Sequence, residues 1–272
     1  MACTVVTAYY EIKSKFNKQQ YMEWTTTFFK IKSPIVLFTT AEHVEIMMQL
    51  RGTRPLHIIV TPFEELDAWK LYKDKWMAQH AMDPERKIHS PELYAVWAQK
   101  AFFVESAVHQ NPFQTEYFFW CDIGAFRDPH LSPLILETFP HTRYLEPHRL
   151  LFQSVGSTSF EDRFPKPDGI YGELISEKWN ERRMVGGLWG GGKQACLIWK
   201  VRYQAMLERY FDANRFAGKD QQVMFSAYQM DPSIARVVQC TKQGIDIWFF
   251  LQHLLSKVCT RFSLSPTYSA KP

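Results

Sequence analysis

Three side chains and one glycine-rich run have the types and positions for chemistry: Asp122, Lys100, Asp220 and the run from Met184 to Lys193. Asp122 follows Phe118-Phe119-Trp120-Cys121, an apolar run that predicts a central strand covered on both sides. In open parallel sheets ligands lie outside the carboxyl ends of the strands. A carboxylate there reaches a metal or a ribose, and Gly124 two residues later lets backbone come close to it. The plainer role for Asp122 is to cap the next turn or pair with Arg127. Lys100 falls within the apolar stripe Leu93, Val96/Trp97, Phe103/Val104, Ala107 of a predicted helix. A core-facing ammonium must either be paired or snorkel outward. A diphosphate at the sheet edge, or Asp122 itself, would pair it.

The run Met184 to Lys193 holds five of the twelve glycines. It is neither a phosphate-binding P-loop nor a dinucleotide fingerprint, because Lys193 is not followed by Ser or Thr and no first strand precedes it. With Trp189 inside, it reads either as a sugar-binding loop or as a mobile lid. In the first reading Gly186, Gly187, Trp189, Gly190 and Gly191 offer a ring face and exposed amides. Asp220 opens a predicted helix, as a first-turn carboxylate or as a general base or acceptor for a sugar hydroxyl.

The elements that must hold these groups alternate. Strand patterns at Thr4 to Ala8, Pro34 to Thr39 and Leu56 to Val60 are separated by helix patterns at Lys18 to Lys30 and Ala41 to Leu50. A helical stretch from Phe63 to about His80 follows. Next comes a helix capped by Ser90 with Pro91 at its first position, running to about His109 before Asn111-Pro112. The strand Glu116 to Cys121 comes after it. This order predicts an α/β fold: a mostly parallel central sheet, Rossmann-like, with helices on both faces. From Pro129 to Gly192 the chain reads as long loops and short strands. Helices are expected at Ile198 to Phe216, Gly218 to Met230 and Ile245 to Lys257, and residues 263–272 read as a disordered tail.

Composition narrows the class. A net charge of +4 suits an anionic small ligand and is too weak for nucleic acid. Aromatic residues make up 15% of the chain, enough for stacking surfaces against a base or a sugar face. Five scattered cysteines without a CxxC pair, no window long enough to span a membrane and no basic, apolar leader predict a cytoplasmic protein. Oligomeric state is not encoded in any of these features.

Together these residues resemble glycosyltransferases of the GT-A type, and specifically the HtrL/YibB family of bacterial glycosyltransferases. The resemblance runs from Thr4 to about Tyr228. It is carried by Trp97-Ala98-Gln99-Lys100, Asn111-Pro112-Phe113, Phe119-Trp120-Cys121-Asp122-Ile123-Gly124 and Gly186-Gly187-Leu188-Trp189-Gly190-Gly191. It implies a GT-A-like domain over residues 1–262, with a nucleotide-binding half (1–128) and an acceptor-side half (129–262). The implied activity is sugar transfer from a nucleotide-sugar donor to a glycan or other hydroxyl acceptor, as in cell-surface polysaccharide or lipopolysaccharide synthesis. Thr7, Ala8 and Tyr9 would line the base and ribose, with Lys100, Asp122 and Gly124 at the donor and Asp220 and Lys100 at the reaction centre. Such enzymes commonly hold the diphosphate with Mn²⁺ or Mg²⁺ on an Asp-x-Asp motif. Here the motif reads Asp122-Ile123-Gly124. Either Asp122 carries the cation with phosphates and water, or Lys100 and other bases neutralise the diphosphate. The alternative is a catalytically silent protein of the same fold that binds a nucleotide sugar or carbohydrate.

Overall fold

The computed structural model describes residues 2–128, 130–155, 168–170, 184–240 and 244–257. The tail expected at 263–272 lies outside the described residues. The first half builds β1 (Cys3–Tyr9), α1 (Lys18–Phe28), β2 (Ile35–Thr39), α2 (Val44–Arg51), β3 (Leu56–Val60), α3 (Asp67–Met82), α4 (Pro91–Gln110) and β4 (Tyr117–Cys121). The second half adds α5 (Pro133–Thr138), β5 (Leu150–Ser154), β6 (Leu188–Gly192), α6 (Lys193–Asp212), α7 (Asp220–Met230), β7 (Ala235–Gln239) and α8 (Phe250–Leu254).

Local signals start and stop the helices as expected. Asn17 and Gln20 form a reciprocal capping box on α1. The Ser90 hydroxyl accepts from Leu93 N on α4, and Asn111 closes that helix in the left-handed conformation. β1, β2 and β4 are built from β-branched and aromatic residues and lie almost wholly buried.

The seven strands form one sheet in the order β3-β2-β1-β4-β6-β5-β7. All neighbours are parallel except those of β6, which runs against both β4 and β5. Strands from both halves of the chain therefore share one sheet. One face packs against α3, α4, α6 and α7, the other against α1, α2, α5 and α8. The expected α/β architecture, mostly parallel with helices on both faces, is what the chain adopts. Successive connections from β1 run outward to β3, then the chain returns to place β4 on the other side of β1. That reversal opens a crevice beyond Tyr9 and Cys121, the carboxyl ends of β1 and β4.

The largest departure concerns the glycine run. Trp189, Gly190 and Gly191 are not an exposed sugar-binding loop or a lid: they lie in β6, inside the sheet between β4 and β5. Trp189 is only 1% exposed, its indole packed on Phe152 and Trp199. No ring face is left for a sugar. Gly190 pairs with Phe119 on one side and Leu151 on the other, and a methyl group at Gly190 would collide with the Phe118 carbonyl. Two helix boundaries also differ. The helix expected at Ile198 begins at Lys193, directly after β6, and the one expected over Ile245 to Lys257 is the single short α8.

Candidate active site

Lys100 projects from α4 toward the ends of β4 and β6, 6% exposed. Its Nζ donates to Asp220 Oδ2 at 2.8 Å and to the Gly186 carbonyl at 3.1 Å, and lies 3.1 Å from Asp122 Oδ1. It also sits over the Trp120 ring, 5.9 Å from the centroid. Three segments far apart in sequence therefore converge on one ammonium. Burial favours the neutral amine, but Asp122 and Asp220 outweigh it and raise the Lys100 pKa above the ordinary lysine range. Lys100 is a cation throughout the physiological range.

Asp122 lies one residue beyond β4, with its side chain 40% exposed. Its Oδ1 accepts from Trp120 Nε1 at 2.7 Å, and its backbone N–H donates to the Gly187 carbonyl at 2.8 Å. Asp220, at the start of α7, is buried beneath Gly186. Burial pushes its pKa up, and the Lys100 ammonium pulls it part of the way back. Gly186 and Gly187 are needed for close approach. A Cβ on Gly186 would strike the Asp220 carboxylate, and one on Gly187 would lie 2.8 Å from Asp122 Oδ2. Gly186→Ala should push Asp220 off Lys100 and cost about 1–3 kcal/mol. Urea denaturation measures this, and an unchanged midpoint would contradict the contact.

A cavity of about 420 Å³ opens at the crevice between β1 and β4. Ala8, Tyr9, Trp97, Lys100, Asp122 and Gly124 are among its walls. Four of its cations, Lys13, Lys18, Lys100 and Arg127, face two carboxylates, Glu11 and Asp122. Counting Asp220, which Lys100 also pairs, the surplus is one positive charge, which favours an anionic ligand such as a diphosphate. A second compartment of about 250 Å³ also has Lys100, Asp122 and Arg127 in its wall and adds Gly186, Gly187 and Asp220. Thr7 does not belong to either: it is fully buried and its hydroxyl has no hydrogen-bond partner among the described residues. Ala8 and Tyr9, at the carboxyl end of β1, are the residues of that strand that reach the cavity.

No protein-family model matches this chain, and neither does any curated protein sequence. The assignment of the site rests on its geometry and chemistry.

In sequence Arg127 is a possible partner for Asp122; in the structure it stands at the junction of the compartments. Its guanidinium lies 4.3 Å from the Trp24 ring centroid and 4.8 Å from that of Phe16, and Nε donates to the Gly124 carbonyl at 2.6 Å. It is oriented by aromatic rings and is not consumed by a carboxylate hydrogen bond among the described residues. The only sequence signal was its spacing, five residues beyond Asp122.

Asp122, with its side chain 40% exposed, could offer an oxygen to Mn²⁺ or Mg²⁺, the other ligands coming from donor phosphates and water. A hard cation takes about six oxygens. Among the described residues no three His, Cys, Asp or Glu side chains gather to hold a metal. Asp122 Oδ1 already accepts from Trp120 and lies 3.1 Å from the Lys100 ammonium, so a cation would share Asp122 with both.

Proposed function

We propose that this chain is a nucleotide-sugar-dependent glycosyltransferase of the GT-A type, acting on a glycan or other hydroxyl acceptor in a pathway such as polysaccharide synthesis. One observation carries the reading: Lys100 is fixed between Asp122 and Asp220 at the floor of a cationic, aromatic-walled crevice at the switch point of the sheet. Ala8 and Tyr9 would contact the base and ribose, while Lys100 and Arg127 neutralise the diphosphate. Glycosyl transfer separates an oxocarbenium-like sugar from a departing diphosphate, so fixed cations at the leaving group lower its barrier. The ammonium and guanidinium supply that charge directly, alongside any divalent cation held on Asp122.

The same geometry favours a second reading, a silent nucleotide-sugar-binding protein, because Asp220 is committed to Lys100 and closed off beneath Gly186. Binding comes first in both. At a hundredfold excess over Kd a matched ligand adds about 2.7 kcal/mol of stability, roughly 5–10 °C in melting temperature. Uridine, guanosine, cytidine and thymidine diphosphates and their sugars should be screened in this way, once with EDTA and once with Mn²⁺. At least one should give this shift, and no shift with any of them would overturn the donor assignment. Release of nucleoside diphosphate from the bound sugar nucleotide separates enzyme from silent binder.

A further inference from the structure

A second buried network borders the compartment that Asp220 and Gly186 share, and the donor assignment makes no use of it. Asp83, fully buried between α3 and α4, accepts three hydrogen bonds. These come from Tyr94 OH at 2.6 Å, from Glu85 N at 2.8 Å, and from His89 Nδ1 at 2.8 Å. Burial alone would raise its pKa, but the His89, Tyr94 and Glu85 donors more than offset this and hold it below the ordinary value. An ionised carboxylate only accepts, so His89 Nδ1 carries the hydrogen. In the neutral ring Nε2 then bears the lone pair. Nε2 lies 3.7 Å from Glu85 Oε2, and Glu85 and His89 both line the compartment wall. Glu85 is itself paired with Lys219, and His89 packs edge-on against Trp97 and Tyr94. The ring is held by Asp83, Tyr94 and Trp97, with Nε2 nearest Glu85 on the compartment wall.

We propose that His89, oriented by Asp83, accepts the proton of the incoming hydroxyl in the compartment beside Asp220. This rests on the glycosyltransferase reading and adds a residue to it. The acceptor O–H bond breaks with its proton going to His89 Nε2, and the oxygen forms the new bond to the anomeric carbon. The bond from that carbon to the diphosphate breaks, and its electron pair leaves with the nucleoside diphosphate. Asp220, hydrogen-bonded to Lys100 and covered by Gly186, holds the ammonium in place. Asp83 is a positioning residue for the imidazole.

The test uses the full chain and the diphosphate sugar that gives the largest thermal shift, with water as acceptor and nucleoside diphosphate release as the readout. His89→Gln retains a donor for Asp83 but no basic nitrogen. Release should fall about a hundredfold or more, within the range for a positioned general base, while the thermal shift given by the sugar nucleotide is unchanged. Added imidazole should restore release in His89→Ala, which a purely structural histidine would not allow. Wild-type release at an unchanged rate in His89→Gln overturns the role of His89 and leaves the donor assignment standing. Absence of any thermal shift in the wild type overturns the donor assignment and this inference with it. Should both variants misfold, ¹⁵N-histidine spectra of the wild-type protein decide: the proposal requires a hydrogen on Nδ1 of His89 and none on Nε2, and Nε2–H overturns it.

Discussion

Lys100→Met should cost about 3–5 kcal/mol, the usual penalty for breaking a buried ion pair from one side, and should abolish the thermal shift given by nucleoside diphosphates. Methionine fills much of the lysine volume, so the loss is electrostatic. It leaves Asp220 buried beneath Gly186 without its cation, and it leaves the Gly186 carbonyl without a donor. The deficit should also depend on pH. Burial already raises the Asp220 pKa against the pull of Lys100, so removing the ammonium raises it further. A carboxyl with a raised folded pKa binds its proton more tightly when folded, so the variant loses stability as pH rises from about 4 through that folded value. The gap between variant and wild type should therefore narrow toward acid pH. Lys100 itself, with a raised folded pKa, adds stability that is complete below about pH 10.4 and is lost only as pH rises through the folded value. Urea unfolding at several pH values measures both effects. A variant as stable as wild type at neutral pH, or one whose deficit grows in acid, would contradict the buried triad.

Trp189→Ala is expected to be at least as damaging to the fold and to act without touching the ligand. Truncating a buried tryptophan costs roughly 3–5 kcal/mol. The cavity would open between Phe152 and Trp199, under the strand that joins the two halves of the sheet. Trp189→Phe should recover most of the loss. Any Trp189→Ala protein that still folds should show the wild-type affinity for its sugar nucleotide, measured by calorimetry below its melting temperature. A large affinity loss with unchanged stability would restore Trp189 to the binding surface and contradict its burial in β6.

These two residues mark the boundary between local and tertiary information. The chain's own pattern sufficed for β1, β2 and β4, because apolar β-branched and aromatic runs leave few alternatives. It sufficed for α4 too, where Ser90, Pro91 and Asn111 fix the ends by local hydrogen bonding and sterics. It also singled out Lys100, because a charge within an apolar helical stripe requires a partner. It marked Asp122 by its place at the end of a strand.

Which partner Lys100 takes depended on folding. Asp220 lies 120 residues from it along the chain, and only the packing of α7 against α4 brings the two together. The glycine run reads as a loop because three of the five residues of β6 are glycines and show no hydrophobic alternation. Its burial is set by the neighbouring β4 and β5 and by the tryptophan between them. The place of Arg127 at the cavity and the Asp83–His89 pair are not legible in sequence for a related reason: their orientation comes from Trp24, Phe16, Tyr94 and Trp97. Local propensity and hydrophobic period thus determined the strands, the capped helix and the need to pair Lys100. Long-range packing decided which acids pair it, which glycines meet the carboxylates, and which cations are left facing the cavity.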